Sequence, residues 1–212
     1  MSVYTPSTFA VTDRAAIARL MHDHPFATLV TPATPEPFIS HLPLLFVPGC
    51  EPHGTLLGHV ARANPHWEHG TDAASIAIFH GPHAYVSPSW YAEPSKAVPT
   101  WNYAAVHVHG TLEVIRDPVE TRRVLDALVQ RFEATRDVPW TFAMPEQQRD
   151  ALVNAIVAFR VRVRNLEAKF KLSQNRPRHD QVRVAAALDA EGYADATAVA
   201  AWMRAYGGAA HE

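Results

Sequence analysis

The segment "VPTWNYAAVHVHG", Val98 to Gly110, combines side chains suited to binding a flat molecule with a polar edge. Trp101 and Tyr103 offer aromatic faces, while Thr100 and Asn102 offer hydrogen-bonding groups beside them. Stacking on the rings, together with hydrogen bonds to the edge, would hold a planar heterocycle. The alternative is a lid whose rings cover the core.

A second segment, "LLGHVARANPHWEHG" from Leu56 to Gly70, carries groups suited to binding an anion. Asn64-Pro65 predicts the start of a short helix, with Asn as the N-cap and Pro at the first helical position. Backbone N–H groups at such a start, and the planar guanidinium of Arg62, would both match phosphate oxygens. A capped connecting helix beside a surface arginine would give the same pattern.

A third segment, "FHGPHAYVSPSWY" from Phe79 to Tyr91, predicts two paired strands joined by a turn at Gly81-Pro82. Tyr85 and Ser87 share one face of the second strand because side chains alternate along a strand. That face would form one wall of a binding site or cover the end of a barrel.

Basic residues concentrate between Arg160 and Arg178, where seven Lys or Arg and one Glu occur in a chain of net charge −2. This region contains "KFKLSQNR", Lys169 to Arg176, which is rich in hydrogen-bond donors. The segregation predicts a surface for a phosphate ligand, a nucleic acid or an acidic partner. An edge strand protected by charge would look the same.

The residue types do not indicate a metal centre or a catalytic group. The 13 histidines include the pair His107 and His109, but no Cys pair or His-Glu-x-x-His run accompanies them. Cys50 lies in a Pro/Gly turn without a neighbour that would lower its thiol pKa, which argues against a nucleophile. We therefore expect no metal and name no catalytic residue. The sequence leaves open whether the protein is an enzyme.

The elements that position these residues belong to a chain of ordinary globular composition. Its 212 residues are 48% hydrophobic and 19% charged, which fits a domain with a substantial core. One cysteine and the lack of a signal-peptide pattern favour the cytoplasm. No stretch approaches the roughly 18–20 apolar residues of a membrane span, so we expect no membrane association.

Short alternating segments, punctuated by 17 prolines, predict a mainly β, antiparallel chain with peripheral helices, of the α+β class. The predicted strands are Phe26–Thr31, Phe38–Val47, Thr55–Val60, Ser75–His80, Ala84–Pro88, Asn102–Ile115 and Phe159–Leu172. Helices are predicted after Asp13, from Asp117 to about Arg136, from Pro145 to about Ile156, and in a short C-terminal pair, Asp180–Leu188 and Thr197–Tyr206. We predict a domain of residues 1–177 with inserted helices and a helical extension of residues 178–212 packed on it.

Five segments, in this order, resemble the PaiB family, described as FMN-binding negative transcriptional regulators: "HLPLLF", "GHVARANPHW", "GPHAYVSPSWY", "VPTWNYAAVHVHG" and "KLSQNR". The similarity covers most of the chain from Tyr4 to about Leu188. It implies a split β-barrel of the FMN-binding type, similar to pyridoxamine phosphate oxidases and flavin reductases. It also implies a homodimer with FMN at the subunit interface, and NAD(P)H or a small molecule as a compatible substrate.

The resemblance assigns cofactor-binding roles to three groups of residues. The FMN phosphate would be held by three side chains, His59, Arg62 and Asn64. The isoalloxazine ring or the ribityl chain would face side chains of two neighbouring strands, Tyr85, Ser87, Trp101, Asn102 and Tyr103. A loop would also reach the cofactor, from either subunit, through Lys171, Ser173, Gln174 and Asn175.

Three functions follow as hypotheses. The motif series favours an FMN-binding split-barrel protein, acting in redox chemistry or as a flavin-linked regulator of transcription. If the protein is an enzyme, the resemblance implies an FMN-dependent oxidoreductase. Direct repression by DNA binding is less favoured, because residues 178–212 hold three Arg and five Asp or Glu, whereas a DNA-reading helix pair is normally cationic. Haem binding is the third, because related split barrels bind haem and the chain is rich in His.

Overall fold

The structure, a computed structural model, describes residues 3–49 and 53–207; Cys50 lies outside these residues. The strands are β1 (Ala10–Val11), β2 (Phe26–Thr31), β3 (Phe38–Pro43), β4 (Leu45–Val47), β5 (Thr55–Ala61), β6 (Ala74–Val86), β7 (Thr100–Val114) and β8 (Ile156–Lys171). The helices are α1 (Arg14–Asp23), α2 (His66–Gly70), α3 (Pro118–Glu133), α4 (Glu146–Asn154), α5 (Arg178–Glu191) and α6 (Ala194–Tyr206). Single 3₁₀ turns cover Ser7–Phe9, Pro88–Trp90 and Pro94–Lys96.

The strands form one sheet in the order β3, β2, β6, β7, β8, β5, β4, and β1 pairs with β8. The β2–β3, β2–β6, β4–β5 and β5–β8 pairs are all antiparallel. Strict alternation along β7 buries Ala104, Val106 and Val108 on one face, as the sequence predicts. The prediction of an antiparallel, mainly β chain with peripheral helices is therefore confirmed.

The predicted turn at Gly81-Pro82 is wrong, because β6 runs without a break from Ala74 to Val86. Gly81 and Pro82 are both buried, so the alternation of exposed and buried side chains changes phase at this point. A bulge of this kind accommodates a proline, which cannot donate to the ladder. Gly81 suits this close packing, because a Cβ atom would lie 3.2 Å from both the Cβ and the carbonyl oxygen of Ala104, which is a tight contact.

Two other strands differ from their predicted extents. The predicted strand Phe38–Val47 is two strands, β3 and β4, separated at Leu44, which is buried and donates its backbone N–H to the carbonyl of Pro25. The last strand begins three residues before the predicted segment Phe159–Leu172 and ends at Lys171. Lys169 and Lys171 therefore lie in the sheet.

The chain divides into two compact units, and β6, β7 and β8 each contribute residues to both. Unit 1 comprises Met1–Asp23, His80–Val106 and Glu167–Glu212. Unit 2 comprises His24–Phe79 and His107–Leu166. The predicted domain boundary after residue 177 falls at the start of α5, inside unit 1, and stays a prediction.

Unit 1 is held together by the packing of α5 on α6 and of both on the end of β8. Val184 and Leu188 of α5 and Val199 of α6 are fully buried. The ring of Phe170 lies 5.1 Å from that of Trp202 and 5.5 Å from that of Tyr206, measured between centroids, with both pairs edge-to-face. Edge-to-face pairs of this kind add to the free energy of burial.

Unit 2 has its own core, in which α3 covers the sheet. Ile115, Val124, Leu128 and Ala158 form a buried cluster there. Gly110 of β7 allows the backbone of β8 to approach closely, because a Cβ atom at this position would lie 2.4 Å from the carbonyl oxygen of Arg162. The buried cluster fixes the end of β7 against the start of α3.

Candidate functional site

Unit 1 presents an exposed sheet face formed by three neighbouring strands, each of which contributes two alternate side chains. We call it the aromatic–lysine face: His83, Tyr85, Trp101, Tyr103, Lys169 and Lys171. Tyr85 remains 41% exposed and Trp101 53% exposed. The Trp101 ring lies 6.1 Å from the Tyr85 ring, edge-to-face, and 6.3 Å from the His83 ring. The sequence analysis did not select His83 or Lys169, although strand alternation places both on this face.

The two lysines give the aromatic–lysine face its charge. Lys171 donates from Nζ to Thr100 Oγ1 and to the carbonyl of Trp101, the latter at 2.6 Å. Burial lowers the pKa of Lys171, and the positive charges of Lys169 and Arg176 lower it further. Lys169 Nζ lies 5.5 Å from the centre of the Tyr103 ring, in cation–π geometry. Flat rings and ammonium groups therefore share one exposed surface.

Three residues predicted to contact a cofactor are instead buried behind this face. Asn102 is 1% exposed, and its Nδ2 donates to Ser173 Oγ at 2.9 Å. Ser173 is 3% exposed and has a φ of 66°, an uncommon conformation for a residue other than glycine. Gln174 donates to the carbonyl of Phe170 and accepts from the N–H of Leu172. These side chains hold the loop after β8 in its conformation, and only Asn175 of the predicted loop residues is exposed.

The segment from Ser87 to Ala97 is anchored to α5. Ser87 Oγ accepts from the N–H of Ser89, which makes Ser87 the N-cap of the 3₁₀ turn Pro88–Trp90. Asp180 accepts from the N–H of Ala92 at 2.8 Å, and Arg183 donates to the carbonyl of Trp90 at 2.9 Å. Ser87 therefore shapes the segment that leaves the aromatic–lysine face, a role the sequence did not indicate.

In unit 2, Arg62 joins the turn after β5 to the carboxyl end of α4. Its backbone N–H donates to the carbonyl of Ala155 at 2.9 Å. Its Nε donates to the carbonyl of Asn154 at 2.6 Å, and its Nη2 donates to that of Ile156 at 2.7 Å. The last carbonyls of a helix lack partners within the helix, so Arg62 caps α4. The rest of the guanidinium remains available to a ligand.

Asn64 belongs to a buried network centred on His66, which the sequence analysis did not single out. Asn64 Oδ1 accepts from the N–H of His66, and its Nδ2 donates to Ser40 Oγ at 3.1 Å. The His66 ring, 1% exposed, lies between Ser40 Oγ at 2.8 Å and Thr31 Oγ1 at 2.9 Å. Thr31 in turn bonds Ser75 at 2.7 Å. Asn64 is thus committed to fixing the start of α2.

His59 is half-buried on β5, and its Nδ1 is buried without a hydrogen-bond partner among the residues that the structure describes. Burial lowers the pKa of His59. Burial also lowers the pKa of His66, and the charge of His69 lowers it further. Both shifts favour neutral imidazoles in the folded protein.

We expect stability to fall as the pH decreases from about 7.5 to about 5.5, because the unfolded chain then binds protons that buried His59 and His66 do not. The loss starts near 6.5, the ordinary pKa of histidine, and reaches at most about 1.4 kcal/mol per pH unit for each imidazole. Urea unfolding at both pH values measures it. His66→Gln should flatten the dependence and exposed His80→Gln should not; an unchanged slope in His66→Gln would contradict the prediction.

Comparison with known proteins identifies the family. A family model described as "Putative FMN-binding domain" matches residues 3–165. The chain belongs to this FMN-binding family. It is also 34% identical over 204 residues to "Protease synthase and sporulation protein PAI 2" of Bacillus subtilis, covering 95% of this chain and 96% of that protein. The predicted resemblance to the PaiB family, and FMN as the cofactor of the family, are confirmed.

Two solved structures show the fold. The FAD and haem binding protein from Mycobacterium smegmatis superposes with a TM-score of 0.61 at 18% identity, covering 87% of this chain and 80% of that one. The flavocytochrome Anf3 from Azotobacter vinelandii gives a TM-score of 0.60 at 12% identity, covering 76% of this chain and 69% of that one. At these identities the likeness concerns the fold alone, and it confirms the predicted split β-barrel.

The described residues lack two further features. Residues 3–49 and 53–207 include no group of three or more His, Cys, Asp or Glu placed to hold a metal ion. None of the helices in this part of the chain has both the length and the apolar composition of a membrane span.

Proposed function

We propose that this protein is a flavin-dependent redox protein in which the aromatic–lysine face of unit 1 binds the isoalloxazine ring of FMN. The observation that carries the proposal is the exposure of Trp101 and Tyr85 beside Lys171 on one sheet face. Buried aromatic rings are expected in a core, but half-exposed rings with an ammonium group between strands serve a ligand better than they serve packing.

The chemistry of the face fits the cofactor. The ring of Trp101 offers an apolar surface for stacking, and the phenol of Tyr85 offers a hydrogen-bonding group next to it. Lys171 uses Nζ to bond Thr100 and Trp101, which leaves a third N–H for an acceptor on the ring edge. Bound FMN would supply the redox chemistry, and these residues would hold and orient it.

The buried residues behind the aromatic–lysine face would support that surface and would not contact the flavin themselves. Asn102 and Ser173 fix the loop that follows β8, and Gln174 closes it with two hydrogen bonds to backbone groups. We assign contact with the flavin to Tyr85, Trp101, Tyr103 and Lys171, and support of that surface to Asn102, Ser173 and Gln174. For exposed Asn175 and for Ser87, contact with the cofactor stays a prediction.

The test is an absorption spectrum of the purified protein, followed by titration with FMN under fluorescence detection. We expect flavin absorption bands and quenching of FMN fluorescence by the aromatic–lysine face, with bleaching when NAD(P)H or dithionite reduces the bound flavin. A protein that neither carries nor takes up FMN would overturn the proposal. A Soret band after haem addition, without flavin uptake, would favour haem binding, a property described for the FAD and haem binding protein from Mycobacterium smegmatis.

Regulation by direct DNA binding receives less support from the charges. Arg160 pairs with Glu120 at 2.6 Å, and Arg162 pairs with Glu113. These ion pairs neutralise two cations of the basic region that the sequence reveals, and counterion release from phosphates requires free cations. An effect on transcription would then follow indirectly from flavin binding or redox state.

We further propose that two copies of the chain associate through an outer apolar face of unit 2. Its members come from β2, β3 and β6 in register: Phe26, Val30, Ile39, Pro43, Ile76 and Ile78. Phe26 is 64% exposed and Ile39 51% exposed. Thr28 and His41, hydrogen-bonded to each other, are the polar members at the centre. With no Asp, Glu, Lys or Arg on this face, two copies would meet without like-charge repulsion, as a two-fold interface requires.

Ile39→Arg should convert the dimer to a monomer, because it would place two desolvated guanidinium groups in the interface. Light scattering coupled to size exclusion measures the mass. The exposed Val138, 86% accessible and in a loop, provides the matched control Val138→Arg, which should stay dimeric. If FMN lies at the subunit interface, the Ile39 variant will also lose FMN affinity. A wild-type monomer, or a dimeric Ile39 variant, would contradict this interface.

A further inference from the structure

We propose that a pocket between Arg62 and Arg116 in unit 2 binds a phosphomonoester dianion, with Arg116 as a phosphate contact that the sequence motifs do not reveal. The pocket is lined by the end of β7, the first turn of α3, the last two residues of α4, the start of β8 and Trp67 of α2. The side chains of Arg62 and Arg116 both lie on its wall, and so does that of Thr121.

The size of the pocket fits a phosphate group. Its volume is about 200 Å³. Pockets that enclose whole drug-sized ligands measure roughly 300–1,000 Å³. A phosphate with its ordered waters would fill this space, whereas a tricyclic flavin ring would not. The pocket is therefore suited to the anionic end of a molecule.

The charges around the pocket are positive and uncompensated. Arg116 is exposed and has no hydrogen-bond or ion-pair partner in residues 3–49 and 53–207. No Asp or Glu of the described chain lines the pocket. The three nearest carboxylates in sequence are engaged elsewhere. Asp117 accepts from the N–H of Val119, Glu113 pairs with Arg162 and Glu120 pairs with Arg160.

Arg62 is held in place before any ligand arrives. Its hydrogen bonds to the carbonyls of Asn154 and Ile156 fix the guanidinium plane, while Nη1 and the second N–H of Nη2 have no hydrogen-bond partner within residues 3–49 and 53–207. A preorganised guanidinium binds a phosphate with little loss of conformational entropy. A phosphomonoester carries about −1.5 to −2 charges at neutral pH, which matches two arginines.

This phosphomonoester has two candidate sources. One is the 5′-phosphate of FMN, in which case the inference rests on the proposed function and extends it by naming a phosphate contact. The other is a separate phosphorylated small molecule. Riboflavin, which lacks the phosphate, distinguishes the two.

The experiment compares Arg116→Gln with wild type in titration calorimetry with FMN, riboflavin and inorganic phosphate. Arg116 is exposed and unpaired, so its replacement should leave the fold intact, as the melting temperature will show. We expect FMN affinity to fall roughly ten- to a hundredfold, the effect of losing a charge-assisted contact, and riboflavin affinity to stay the same. The control is Arg136→Gln, an exposed arginine outside the pocket, which should bind FMN as wild type does.

Each other outcome has a definite meaning. If FMN affinity is unchanged but inorganic phosphate binds wild type and not Arg116→Gln, the pocket serves a separate phosphorylated ligand. If wild type takes up no FMN yet binds phosphate through Arg116, the proposed function fails and this inference stands. If Arg116→Gln changes the affinity for neither FMN nor phosphate, or if the Arg136 control shows the same losses, the inference is overturned.

Discussion

Replacing Trp101 by alanine is expected to weaken FMN binding by roughly five- to a hundredfold while leaving the fold nearly as stable as before. Stacking of a flat heterocycle on an aromatic side chain contributes on the order of 1–3 kcal/mol, as measured for nucleic-acid bases. Trp101 is 53% exposed, lies edge-to-face with Tyr85 and is tilted by 36° against the ring of His83 at 6.3 Å between centroids. Its loss should therefore cost more in binding than in packing. Quenching of flavin fluorescence during titration measures the affinity.

The chain offers a matched control for this substitution. Trp140, 49% exposed and in unit 2, contacts Phe142 edge-to-face at 4.8 Å and stands in no proposed flavin contact. Trp140→Ala removes the same ring from a comparable environment and should bind FMN as wild type does. Equal losses in the two variants would mean that the effect is indirect. Unchanged affinity in Trp101→Ala would remove the aromatic–lysine face from the binding site.

The alternation of side chains between the two faces of a strand gave the most reliable predictions from the sequence, because it follows from the geometry of the strand backbone alone. It predicted the exposed and buried faces of β7 correctly, and the bounds Phe26–Thr31 of β2 agree with the structure. It failed at Gly81-Pro82, where a dipeptide typical of turns lies inside β6 and the pattern of burial changes phase. Whether such a dipeptide turns or bulges depends on neighbouring strands, and a single sequence carries no information about them.

The polar residues of the candidate site show a second reason why the sequence could not define it: the chemistry of a side chain does not reveal its partner. The amide of Asn102 and the guanidinium of Arg62 are both groups that bind ligands, and the sequence indicated that chemistry. It could not show that Asn102 reaches Ser173, 71 positions away, or that Arg62 reaches Asn154, 92 positions away. The same side-chain chemistry serves a loop, a helix end or a cofactor. Only the fold decides which, and for Arg62 it leaves part of the group free.

Arg116 is the opposite case, because the structure places it beside a pocket although the sequence did not mark it as a binding residue. Arg116 belongs to none of the motifs that resemble the family, and it follows a strand in a stretch without unusual composition. Its relation to Arg62 arises because the cluster around Ile115 and Val124 packs α3 against the sheet. Core packing therefore determines the position of Arg116 relative to Arg62, which comparison of sequence motifs could not predict.

Asn102→Ala is expected to lower the free energy of unfolding by about 2–4 kcal/mol, the larger of the stability effects predicted for this protein. The substitution removes the bond from Nδ2 to Ser173 and leaves that buried hydroxyl without its partner, which costs about 1–3 kcal/mol. A cavity at a position only 1% exposed adds to the loss. Urea unfolding measures the change. Asn165→Ala, an exposed asparagine of β8, should stay within about 0.5 kcal/mol of wild type.

The same variant decides whether Asn102 positions the aromatic–lysine face or contacts the cofactor. A positioning residue acts through the loop after β8, so Asn102→Ala should lose stability first and lose FMN affinity less than Trp101→Ala does, when both are titrated below their melting temperatures. An amide in direct contact with the flavin edge would show the reverse, a large loss of FMN affinity with stability close to that of wild type. The second result would restore the contact that the sequence motif implies and contradict the burial of Asn102 beneath the face.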